Sequence, residues 1–63
     1  MDIDEAYAEI QVEIDNPRQY SHNIVSSILR MMDTQYGKAR TNQLVVDLDL
    51  PGEFSINPVS EDE

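Results

Sequence analysis

The side chains with the most chemical potential lie together in Asn16-Pro-Arg-Gln-Tyr-Ser-His-Asn23. The spacing predicts that this stretch opens a helix, where unpaired backbone N–H groups and the positive dipole end attract anions. Arg18 adds a planar donor fork and Tyr20 a stacking face, with His22 and Asn23 one turn further on. Together with Lys38 and Arg40 beside Gly37, they form a candidate site for a phosphate or nucleotide, especially at an interface between copies. The plainer reading is that Asn16 and Pro17 start the helix, Tyr20 packs, and the polar groups face water.

Catalytic chemistry finds little support. His22 and Ser26 stand four apart and can meet on a helix face, but no carboxylate one turn away orients the imidazole. Acid–base work by two carboxylates needs a pocket that raises one pKa, and so short a chain leaves little volume for one. One histidine and scattered acids lack the paired spacing of zinc or calcium loops, so no metal is expected. The glycines at 37 and 52 are isolated, which excludes a glycine-rich phosphate loop. The expectation is a non-enzymatic protein without a cofactor.

Charge narrows the partners. The 63 residues carry a formal net charge of −9. Residues 1–16 hold six acids and no base; residues 17–43 hold Arg18, Arg30, Lys38 and Arg40 with the single acid Asp33; residues 44–63 hold six acids and no base. Direct binding to nucleic acid or an anionic membrane needs a positive surface, so neither is expected. The apolar runs are too short to span a bilayer, and the N-terminus has neither the basic start nor the apolar stretch of a signal peptide. With no cysteine, disulfides are excluded, and a cytoplasmic location is the expectation, the host cytoplasm if the protein is virus-encoded.

The elements that must position these residues follow from hydrophobic period. Residues 17–36 predict one long amphipathic helix, with Asn16 as N-cap, Pro17 in the first turn and Gly37 as the stop. Tyr20, Ile24, Val25, Ile28, Leu29, Met31, Met32 and Tyr36 share about half its circumference, the expected core or oligomer face. An arc that wide asks for at least two neighbours, and in so short a chain one of them is expected to be another copy, giving a homo-oligomer.

Two flanking segments read both ways. Ile3, Tyr7, Ile10 and Ile14 share a helical face after a capping-box start at Asp2 and Glu5, yet residues 8–14 also alternate like a half-buried strand. Leu44, Val46, Leu48 and Leu50 alternate as well, while Thr41, Leu44, Val45 and Leu48 fit a helix. The expected fold is therefore a small, mostly α single domain with short helices at 3–14 and 39–50; the alternative is α+β with strands at 8–14 and 43–50 flanking the long helix. Pro51–Gly52 is expected to end the third element. Residues 1–56 form the expected domain, and 57–63 a mobile acidic tail whose deletion leaves the fold intact.

The functional expectation is an acidic protein that binds and modulates or inhibits another macromolecule, in the manner of small virus- or phage-type regulators. Two alternatives accompany it: an oligomeric nucleotide or phosphate sponge using the 18–23 and 38–40 groups, and a DNA mimic whose carboxylates imitate a phosphate array.

Overall fold

The structure, a computed structural model, describes residues 1–59. Four helices follow in order: α1 (Ile3–Asp15), α2 (Ser21–Tyr36), α3 (Lys38–Asp47) and α4 (Leu50–Phe54). The mostly α expectation holds. The strand alternative fails at both places, because 8–14 lies within α1 and 43–47 within α3, and no strand occurs among the described residues.

α1 begins as its acids direct. The Asp2 carboxylate accepts from the Glu5 N–H at 2.8 Å, satisfying one of the open donors of the first turn. Its inward face is Ala6, Ile10 and Glu13, with Ile3, Tyr7 and Ile14 packed alongside.

The long helix starts later than its apolar period suggests. Asn16 is not its N-cap but closes α1, its N–H reaching the Val12 carbonyl at 3.0 Å. Pro17 lies in the connection, where the chain must reverse between two packed helices, and residues 16–20 make that reversal. α2 then runs to Gly37, whose φ of +89° ends it and leads directly into α3. Space around Gly37 is open, so the requirement for glycine there is conformational.

α2 packs against both α1 and α3, and α4 packs on α3. The fully buried Val25 and Met32 meet Ala6 and Ile10 of α1, Leu44 and Val45 of α3, and Leu50 of α4 in one core. Cover for the wide apolar arc thus comes from the same chain. Ile28 and Leu29 are buried, and Ile24 and Tyr36 half-buried. Tyr20 and Met31 are the departures, remaining 53% and 45% exposed. Tyr20 precedes the helix rather than belonging to it, and Met31 falls at the edge of the arc.

The third element divides. Leu48 caps α3, Asp49 in a left-handed conformation (φ 52°) opens α4, and Pro51 sits in the first turn of α4 instead of stopping a helix. A proline is tolerated there because the first-turn N–H groups have no intrahelical acceptor. The break turns Leu50 fully into the core. Ser55 (φ 59°) reverses the chain again, and the Ile56 N–H bonds to the Leu50 carbonyl at 3.2 Å. Of the stretch read as a tail, 57–59 is tethered at its last residue. The Asn42 amide donates to the Val59 carbonyl at 2.7 Å and accepts from the Val59 N–H at 3.0 Å. Residues 60–63 of that tail lie outside the described residues.

Candidate functional site

The residues expected to bind a ligand do not converge within the chain. Arg18, Tyr20, His22 and Asn23 lie at the start of α2, and Lys38 and Arg40 beyond its end. A helix of 16 residues separates them by about 22 Å at 1.5 Å per residue. His22, Asn23 and Arg40 are exposed, and Lys38 is half-buried.

Arg18 is committed internally. Its guanidinium pairs with Glu13, Nη2 to Oε2 at 2.5 Å and Nε to Oε1 at 3.4 Å. The Ser21 hydroxyl donates to Glu13 Oε1 at 2.7 Å and accepts from the Arg18 N–H at 2.6 Å. Glu13 is 5% exposed, and a carboxylate so enclosed needs these donors to stay charged. Hydrogen bonds from Arg18 and Ser21 hold its carboxyl below the ordinary glutamate range, and the Arg18 pKa rises in turn. The guanidinium also lies 5.2 Å from the Tyr20 ring centroid, within cation–π range. The cluster therefore staples the α1–α2 connection and engages the Nε and Nη2 edge of the guanidinium, while the side chain stays about half exposed at 51%.

A second polar cluster joins α1 to α3. The Tyr7 hydroxyl donates to Asp47 Oδ2 at 2.7 Å, and Gln43 Nε2 donates to Asp47 Oδ1 at 2.8 Å. The bond to Asp47 stabilises the neutral phenol and pushes the Tyr7 pKa up to about 12, while the Asp47 carboxyl is held below its usual range. Arg40 lies over the Tyr36 ring, 5.8 Å from its centroid. A tyrosine driven this far toward its neutral form is a poor acid or nucleophile near pH 7.

Sequence reasoning passed over Glu13, Ser21, Tyr7 and Asp47 as sites. A signal existed for two of them. Read as a helix, Ala6, Ile10 and Glu13 follow the i, i+4, i+7 spacing of one buried face, and Ser21 interrupts the apolar arc of the next helix. An acid and a hydroxyl on facing apolar stripes are natural partners.

The outward face of α1 is the most distinctive surface. With Glu13 turned inward, Asp4 and Asp15 border one side of this face and Glu5 and Glu9 the other, at 100° per residue. Ala8 and Val12 lie between them, Val12 54% exposed. The helix carries no basic residue. It is an apolar strip flanked by carboxylates.

An open cavity of about 180 Å³ lies between α2 and α3, lined by Leu29, Arg30, Asp33, Thr41, Asn42, Val45, Ile56, Asn57 and Val59. That is below the roughly 300–1,000 Å³ usual for drug-sized ligands. Among the described residues no three histidines, cysteines or acids are grouped to hold a metal ion, and no helix is long and apolar enough to cross a membrane. Comparison with protein-family models, characterised proteins and solved structures finds no match to this chain.

Proposed function

We propose that this is a non-enzymatic interaction protein that docks the outer face of α1 onto a basic protein surface and thereby modulates or inhibits that partner. One observation carries the reading: exposed Ala8 and Val12 lie in a strip between the Asp4/Asp15 and Glu5/Glu9 carboxylates, on a helix without a base. Carboxylates steer the encounter and reject acidic surfaces, and a central apolar contact supplies desolvated area. A nucleotide or phosphate sponge would have to gather its cations from more than one copy, because within one chain Lys38 and Arg40 lie a helix length from Arg18 and Arg18 pairs with Glu13.

The test is quantitative capture from native lysate at moderate salt, comparing the wild-type chain with Glu5→Lys/Glu9→Lys and with Val12→Asp. All three substituted positions are exposed, so the fold should persist in circular dichroism. The expected result is a partner lost with either variant. Retention of the same proteins by the charge-reversed chain would defeat the proposal. Loss on charge reversal with indifference to Val12→Asp would favour the DNA-mimic reading, in which carboxylates alone are recognised.

A further inference from the structure

We infer that the groove between α2 and α3 is a recognition site for an extended peptide, that residues 56–59 are its resident occupant, and that a segment with a larger apolar side chain at the Val59 position displaces them. The groove reads backbone. Asn42, 9% exposed on α3, offers both halves of its amide to a single residue, donating to the Val59 carbonyl and accepting from its N–H. This two-point pairing holds main chain through a side-chain amide, so it fixes where the segment lies while the neighbouring pocket selects its side chain. Any residue with a main-chain N–H, and so any but proline, can be held this way.

The pocket beside it selects an apolar group, and the resident fills it incompletely. Ile56 is half-buried against the core, while Val59 is 55% exposed although it borders the cavity. The cavity they border with Leu29 and Val45 keeps about 180 Å³ open, room for a leucine or phenylalanine side chain in place of Val59. Ser55, the left-handed C-cap of α4 at φ 59°, turns the chain into the groove just ahead of the segment. The fitting partner is thus an extended segment with an aliphatic residue at the Ile56 position and Leu or Phe three residues on.

The experiment uses the full chain and a synthetic peptide of residues 55–63 carrying Leu in place of Val59. In the wild type the tethered segment competes at an effective concentration in the millimolar range, so the peptide must approach that level to displace it. The full-length Val59→Pro chain lacks the N–H that Asn42 accepts, so its own segment is released. Calorimetry is expected to show this chain binding the peptide at least tenfold more tightly than the wild type, with the gain abolished by adding Asn42→Ala. A folded Val59→Pro chain that ignores the peptide, or one that binds equally well without Asn42, would overturn the inference. Should Val59→Pro fail to fold, the wild-type chain decides by nuclear magnetic resonance: several millimolar peptide should shift the Asn42 side-chain amide, and an unmoved amide would refute the site.

Discussion

Replacing Ile28, Met31 and Ser27 one at a time by Asp separates two descriptions of α2. On a helical wheel Ile28 and Met31 both belong to the apolar arc and Ser27 does not. In the folded protein Ile28 is 7% exposed and Met31 45%. An Asp forced into the core must either stay charged in a poor solvent or be protonated. Holding it neutral at pH 7 costs about 4 kcal/mol, from an ordinary pKa of about 3.9 and 1.36 kcal/mol per unit. Losing the buried isoleucine adds about 1.5–3 kcal/mol. At roughly 0.05–0.15 kcal/mol per residue, a chain of 63 residues has about 3–9 kcal/mol in total. Ile28→Asp should therefore be largely unfolded at 25 °C and pH 7. Met31→Asp should stay within about 0.5 kcal/mol of wild type, as surface substitutions usually do. Ser27→Asp should do likewise, aided by Arg30 three residues on.

Thermal melts followed by circular dichroism give the readout, with about 4–8 °C expected per kcal/mol for a domain of this size. A carboxyl with a raised folded pKa penalises folding least below its unfolded pKa, so Ile28→Asp should regain structure as pH falls from 7 to 5. Each unit returns about 1.36 kcal/mol while the group titrates. A Met31→Asp chain as damaged as Ile28→Asp would show that α2 presents a different face. An Ile28→Asp chain melting within a few degrees of wild type would refute the core itself.

Glu13 supplies an acid-side test: its folded pKa is depressed, so its stabilisation is present above the unfolded value of about 4.5 and is lost as pH falls below that. Glu13→Gln should flatten the acid limb of a stability–pH curve, and an unchanged limb would deny the staple. Tyr7 acts on the alkaline side, where a phenol raised from 10.0 to about 12 stabilises fully below pH 10 and loses its contribution between 10 and 12. Tyr7→Phe should remove that step from a melting-temperature profile, and its persistence would contradict the Asp47 bond. Asn42→Ala should cost about 0.5–1.5 kcal/mol in urea unfolding, the net worth of an ordinary hydrogen bond, because the half-exposed Val59 backbone can turn to water. Faster amide exchange at Val59 in that variant would confirm the tether, and an unaltered rate would exclude it.

Local chemistry determined much of this protein. The Asp2–Glu5 start of α1, the stop at Gly37 and the amphipathic period of α2 each depend on residues within a turn or two, so they are legible from spacing alone. Segments 8–14 and 43–50 were not decided locally, because each pattern satisfies both a period of 2 and one of 3.6. A strand needs a partner edge, whereas a helix closes its own hydrogen bonds and here finds the α2 arc to cover. Tertiary structure alone also decided where α2 begins. Pro17 suits a first turn in isolation, but ending α1 at Asn16 lets Arg18 and Ser21 fold back on Glu13 and neutralise it. The same long-range demand pairs Arg18 with Glu13, while Lys38 and Arg40 stand beyond the far end of α2. Composition marked residues 57–63 as a free tail because polarity is all that composition records. Asn42, 17 residues away from Val59, tethers part of that tail, and sequence spacing carries no trace of such a contact.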